Sequence, residues 1–307
     1  MILSVCLSPC LEVNIEVDSL AVGRNNKVLS KRTFLTGRAL NVAIGLSRLG
    51  ADAFATGIMY EENGRMFEQQ LHKDGVTYKF VWNQGRVKEV YKFIDRRSML
   101  TEIDDDATPV TEANKKAIIE TVAELSKKCQ AVVITDDEAS GLSDEFLCKI
   151  MSVIPSNVLK IVDTNGDKIV KLLDYGVDLV KPNLEELQRA TNVKITDKES
   201  MLRSCQALIK RGAKRVLLSL GKNGAVIMDE KQRLYCMSLN VPMNTTAGAG
   251  DAMVAAATKS LCESAKLSDI LKCGVAAGTA SVTLPDSISF TKDKYEEILK
   301  VLQVKEI

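Results

Sequence analysis

The sequence predicts an α/β protein with a mostly parallel sheet covered by helices on both faces, and a small antiparallel β-flap inserted into it. Three observations carry that expectation. From about residue 39 onward short β-branched runs alternate with helical patterns, two earlier and intervening segments alternate apolar with polar residues, and the last hundred residues turn helical.

In order along the chain, "LEVNIEVDSL" (11–20) sets Leu11, Val13, Ile15 and Val17 against Glu12, Asn14, Glu16 and Asp18, the pattern of a strand with one wet face. "KVLSKRTFL" (27–35) is a weaker strand, and "KEVYKFID" (88–95) repeats the alternation. "ALNVAIGLSRLG" (39–50) has apolar residues at helical spacing and stops on Gly50, a residue suited to a helix C-cap. "AVVIT", "LKIVDT", "VDLVKPN" and "KRVLLSL" read as buried parallel strands, with helices expected at 111–128, 143–153, 167–174, 183–190 and 197–211. Three helices follow, in "AGDAMVAAATKSLCES", "LSDILKCGVAAGTASVTL" and "TKDKYEEILKVLQV". With no repeat and no Pro/Gly/Ser linker, the chain is expected to form one domain over 1–307, with flap segments at about 11–36 and 88–104.

Composition narrows the function. Forty-one Lys plus Arg against 40 Asp plus Glu leave no field for nucleic acid or anionic lipid, so the expected partners are small molecules. No window is apolar enough to span a membrane and the first residues carry no basic leader, which points to the cytoplasm. Eight scattered cysteines without a C-x-x-C pair read as free thiols. The one histidine, His72, sits in the polar run "QQLHKDG", so chemistry that needs an imidazole is disfavoured.

The chemistry concentrates in "NTTAGAGDAM" (244–253). Helix N-termini leave backbone N–H groups unpaired, and small residues let a phosphate approach them, so Gly248, Ala249 and Gly250 suit an anion hole. Taken alone, the motif reads first as a tight turn with Asp251 as a first-turn acid that complements the helix dipole. Phosphoryl transfer gives the combination a purpose, because it needs donors for the transferring group and a base at the attacking hydroxyl. The other phosphate-binding patterns are missing. Gly45 and Gly50 have P-loop spacing but are followed by Ala51 and Asp52, and no G-x-G-x-x-G follows the first strand.

Several separated pieces resemble the pfkB carbohydrate kinases of the ribokinase-like superfamily, in particular the branch of 1-phosphofructokinases and tagatose-6-phosphate kinases. These are "CLSPCLEVNIEVDSL", "GRALNVAIGLSRLG", "TEID", "VDTNG", "LVKPNLEEL", "LLSLGKNGA" and "TTAGAGDAMVAA", in that order and over nearly the whole chain. The resemblance implies a three-layer α/β/α core with the flap as a lid, ATP and magnesium as cofactors, and a homodimer formed through the lid. It makes Asp251 the base, with Gly248, Ala249 and Gly250 as the hole. Lys181, Asn183, Glu186, Ser219, Gly221 and Gly224 fall at nucleotide positions, and Asn183 and Glu186 at the N-x-x-E places that organise magnesium through waters. Read without it, Asn183 and Glu186 are a helix cap and a surface acid, "SLGKNG" is a hairpin loop, and Lys181 is a strand-end residue.

On the acceptor side the resemblance assigns Glu12, Gly37, Arg38, Asn41 and Lys88, with Lys92 at a later lysine position. Here the chain departs from the pattern. "TGRA" (36–39) replaces "GGKG", so Arg38 stands for a lysine; Glu12 stands for an aspartate; and "TDDEASG" (135–141) brings Asp136, Asp137 and Glu138 where Ser and Gly are expected. The implied reaction is ATP-dependent conversion of fructose 1-phosphate to fructose 1,6-bisphosphate. The alternatives are a kinase of tagatose 6-phosphate or of another sugar or nucleoside, and a nucleotide-binding regulator with weak turnover.

Overall fold

Five consecutive buried residues, "ILSVC", form β1 (Ile2–Cys6), as befits a strand covered on both faces. The computed structural model describes residues 1–136, 142–284 and 289–307, the side chain of Asp136 excepted. After β1 come β2 (Cys10–Val17), β3 (Val28–Thr36), α1 (Arg38–Arg48), β4 (Ala53–Tyr60), α2 (Arg65–Lys73), β5 (Thr77–Asn83), β6 (Lys88–Ile94) and β7 (Leu100–Asp105). The middle of the chain forms α3 (Glu112–Ser126), β8 (Ala131–Asp136), α4 (Asp144–Val153), β9 (Leu159–Thr164), α5 (Gly166–Leu172), β10 (Leu179–Val180), α6 (Leu184–Thr191), α7 (Lys198–Lys210) and β11 (Val216–Ser219). It closes with β12 (Ala225–Met228), β13 (Arg233–Cys236), α8 (Ala249–Cys262), α9 (Leu267–Ser281), α10 (Lys292–Val301) and β14 (Val304–Glu306).

Ten strands make the large sheet, in the order β14-β13-β12-β11-β10-β9-β8-β1-β4-β5. From β5 to β11 neighbours run parallel, and β12, β13 and β14 add antiparallel edges. The period-2 geometry of each strand divides its side chains between two cores. Leu3, Val132, Ile134 and Val162 pack with α2 to α7, while Ile2, Val133, Ile161 and Leu217 pack with α8, α9 and α10. Each such side chain contributes about 1.5–3 kcal/mol on burial, so both faces must be covered. The α/β class with a mostly parallel sheet is therefore as expected. The antiparallel edge is new, and Val304, expected to end the last helix, opens a strand that pairs with β13 instead.

The second sheet has the order β3-β2-β6-β7. It corrects the expectation of a wholly antiparallel flap, because β2 and β6 run parallel, Glu12 facing Val90 and Asn14 facing Lys92. The reason is topological: β2 follows β1 and β6 follows β5, two parallel strands of the large sheet, so both leave it from its C-terminal edge in the same direction. One face of this sheet carries Val13, Ile15, Tyr91 and Phe93. The other carries Glu12, Asn14, Lys88 and Lys92.

Helices α1 and α8 lie close together through Gly45, where an added Cβ would stand 2.9 Å from both the Ala255 Cβ and the Ser289 Oγ. Neither atom is the end of a flexible side chain. Gly45→Ala is therefore expected to destabilise the fold by about 1–3 kcal/mol, read as a lowered denaturant midpoint at unchanged slope.

Candidate active site

The chain passes from β1 outward to β4 and β5, then returns to set β8 on the other side of β1. At such a reversal the C-terminal ends of parallel strands leave a crevice, the usual ligand site of an open α/β sheet. The N-terminus of α1, the end of β9, the residue after β10 and the N-terminus of α8 meet there through side chains.

Gly248 caps α8 in a left-handed conformation, φ 78° and ψ −7°, which glycine adopts without strain. Gly248 has no side chain to cap the helix, so its N-terminal positive end, with Asp251 in the first turn, suits an anion. The Ala249 N–H, one of the three donors expected for the hole, makes a long 3.4 Å hydrogen bond to the Thr246 carbonyl. Gly250 is bare on the side facing Lys181, whose Nζ would lie 3.4 Å from an added Cβ. An ammonium group therefore stands beside the helix N-terminus.

Asp251 is 5% exposed and engages both carboxylate oxygens with α1. Asn41 donates from Nδ2 to Oδ2 at 2.8 Å, and Arg38 Nε lies 3.5 Å from Oδ1. Arg38 and Asn41 are three residues apart on one helix, the spacing that brings two side chains onto one face. Arg38 also pairs through Nη2 with Asp163, at the end of β9, and Lys181 Nζ reaches the same carboxylate at 3.2 Å. Asp163 is fully buried, and no hydrogen-bond donor serves its Oδ2 among the described residues. Two cations and two carboxylates thus share one pocket in mutual contact. Sequence reasoning missed Asp163 as a site residue; the available signal was a single acid in the otherwise apolar strand "LKIVDT".

Asn183 and Glu186 form a reciprocal capping box at the start of α6, Asn183 N to Glu186 Oε2 and Glu186 N to Asn183 Oδ1, both at 2.8 Å. The cap reading of these residues is thus realised, but Glu186 is buried rather than a surface acid. A magnesium ion takes oxygen ligands, keeps several waters and needs only one or two carboxylates. The side-chain oxygens of Asn183 and Glu186 fit such an ion, and Asp163, at the end of neighbouring β9, has a buried oxygen without a donor among the described residues. No group of three or more His, Cys, Asp or Glu is assembled among the described residues, and a largely hydrated ion requires none.

Ser219 joins the same edge by a parallel bridge to Asn183, its N–H donating to the Pro182 carbonyl at 3.0 Å. Gly221 and Gly224 belong to the turn between β11 and β12, so the hairpin reading of "SLGKNG" also holds. Gly224 has φ 84°, and a Cβ there would run into the backbone of Cys236 to Ser238. These residues are brought to one side of Lys181 by the sheet itself.

On the smaller sheet Lys88 pairs with Asp104 at 3.0 Å, and Lys92 with Glu12 at 2.8 Å and Glu102 at 3.6 Å. Burial works against both ammonium charges, but the carboxylate partners outweigh it and hold each pKa above the ordinary lysine value. Both lysines are cations at any working pH. Gly37, at φ 154°, precedes α1 and lies against Leu40 and Pro9, a structural place. Of the acidic stretch 136–138, Asp137 and Glu138 lie outside the described residues, as does the side chain of Asp136.

Residues 2–294 match the family model described as pfkB family carbohydrate kinase. A 1-phosphofructokinase of Vibrio cholerae is 26% identical over 255 residues, 83% of this chain and 80% of that protein. A tagatose-6-phosphate kinase of Staphylococcus epidermidis is 23% identical over 312 residues and matches both chains end to end. Among solved structures, phosphofructokinase-2 from Escherichia coli in complex with potassium superposes with a TM-score of 0.88 at 24% identity, covering 97% of each chain.

Proposed function

The chain belongs to the pfkB family of carbohydrate kinases, and on that premise we propose that it transfers the γ-phosphoryl group of ATP to a phosphorylated ketohexose, with fructose 1-phosphate as the leading acceptor. The observation that carries this reading is the pair formed by Asp251, held at both oxygens, and the uncapped N-terminus of α8 that it belongs to. A base and an anion site on one helical turn are what in-line transfer to a hydroxyl requires.

Asp251 accepts the proton of the acceptor hydroxyl as the new O–P bond forms. The N-terminus of α8 and the Lys181 ammonium stabilise the charge on the transferring group. Asn41 Oδ1 is buried without a hydrogen-bond partner among the described residues, which supports its accepting from a sugar hydroxyl. Asn183 and Glu186 would hold magnesium through waters, and the ion would neutralise phosphate charge when bound. Ser219, Gly221 and Gly224 would border the nucleotide. The smaller sheet would act as the lid, offering Glu12, Lys92 and Lys88 to the acceptor and keeping water from the γ-phosphate.

A homodimer through that sheet follows from its edges. β3 and β7 end the sheet and expose Val28, Leu29, Leu100 and Ile103, and a partner that covered them would remove both unpaired backbone and apolar surface from water. A cytoplasmic location is consistent with eight free thiols and with the absence, among the described residues, of a helix long and apolar enough to cross a membrane.

The test is ADP release with ATP and magnesium across fructose 1-phosphate, tagatose 6-phosphate, fructose 6-phosphate, neutral sugars and nucleosides. The highest kcat/KM is expected for fructose 1-phosphate. Turnover confined to neutral acceptors would overturn the proposal. A preference for tagatose 6-phosphate would be the second reading, favoured by the 23% identity to a kinase of that name along the full chain.

A further inference from the structure

We infer that Arg38 is a positioning residue for Asp251, fixed in turn by buried Asp163, which leaves the acceptor's phosphate to Lys88, an acceptor-side residue by the family resemblance; the inference rests on the kinase reading above. Arg38 occupies the place where the family pattern has a lysine, and its guanidinium does something a lysine cannot. With Nε 3.5 Å from Asp251 Oδ1 and Nη2 on Asp163 Oδ1, the planar fork spans two carboxylates that come from different elements, α8 and β9. A single ammonium group offers no such fixed pair of directions. The bridge ties the base to a strand of the sheet, because Asp163 is fully buried and its Oδ1 is also held by Lys181, whose side chain is 4% exposed.

The same contacts disfavour Arg38 as the ligand of a sugar phosphate. A phosphate reaching this guanidinium would have to compete with two carboxylates already on it, one of them Asp251, whose charge repels the newcomer at short range. Lys88 is differently placed. Its one carboxylate partner among the described residues, Asp104, has a side chain 54% exposed, and a pair of that kind exchanges for a phosphate at small cost. The reaction then divides its cations: Lys181 for the transferring group, Arg38 for the base, Lys88 for the acceptor.

The experiment measures kcat and KM for Arg38→Met, Arg38→Lys, Asp163→Asn, Lys88→Met and the Arg38→Met/Asp163→Asn double variant, each with fructose 1-phosphate and with the best neutral acceptor. Arg38→Met is expected to lower kcat about 100-fold on both acceptors, as a misplaced reacting group does, with KM for either changed less than about threefold. Asp163→Asn should act alike, and the double variant should be no more than about threefold worse than the poorer single, the non-additivity of residues that act as one unit. Lys88→Met should raise KM for fructose 1-phosphate by at least about tenfold and leave KM for the neutral acceptor in place. If Arg38→Met fails to fold, Arg38→Lys carries the test, with a loss in kcat of about tenfold expected from partial repositioning. A rise in KM for fructose 1-phosphate alone on changing Arg38, or losses from Arg38 and Asp163 that multiply, overturns the inference. A wild-type enzyme that turns over neutral acceptors only would overturn the functional reading and, with it, the role of Lys88, while the effect of Arg38 on kcat is still read on those acceptors.

Discussion

Asp251→Asn is expected to lower kcat by about a thousandfold, within the range that a positioned general base supplies. The substitution keeps the side chain's size, so the packing of α8 against α1 should survive and circular dichroism should match the wild type. What changes is the chemistry at Oδ1 and Oδ2. An amide cannot take the hydroxyl proton, and it brings its own N–H₂ toward either Asn41 Nδ2 or the Arg38 guanidinium, both of which are donors. KM for ATP should stay within a few-fold, because the residues proposed to bind the nucleotide lie after β10, at the start of α6, and at the end of β11 and the turn after it. A variant with kcat within threefold of the wild type would mean that Asp251 is a helix-dipole acid with no part in proton transfer.

Gly166→Ala should lower stability strongly and disturb the site as well. Gly166 opens α5 directly after β9, and a Cβ there would run into the Glu186 carbonyl oxygen and come within 2.9 Å of the Ala190 nitrogen. Both are backbone atoms of α6, so relief requires moving the helix. Overpacking of this kind costs about 3 kcal/mol, and a lowering of Tm by roughly 5 °C follows for a chain of this size. The displaced helix carries Glu186, held in the cap with Asn183. The variant should therefore also need more magnesium for half-maximal activity, read by titrating the ion at saturating ATP. Wild-type Tm together with wild-type magnesium dependence would show that α5 and α6 separate freely and that their contact does not hold the cap.

Local features were legible from the sequence. The small residues before Asp251 and the N-x-x-E spacing of Asn183 and Glu186 are properties of a single helical turn, and each turn formed as its residues dictate. The alternation in 11–18 marked a half-wet strand for the same reason. What escaped was set by pairing between distant segments. The parallel run of β2 beside β6 depends on where two other strands end, and no pattern inside either segment records it. Asp163 was missed because its meaning lies in Arg38 and Lys181, which the register of β9 with β10 and the placement of α1 bring to it. Arg38 was visible as a change of cation, but its orientation toward two carboxylates required the fold. β12 and β13 were missed because four-residue strands at a sheet edge carry too short a pattern to separate from loop.

The most direct test of the central claim is phosphorus NMR of the product formed from fructose 1-phosphate, ATP and magnesium. Stoichiometric appearance of a second sugar phosphate resonance with ADP, at the 6-position, is the result this account expects. ATP hydrolysed to free phosphate with the sugar unchanged, or no turnover at all, would contradict it.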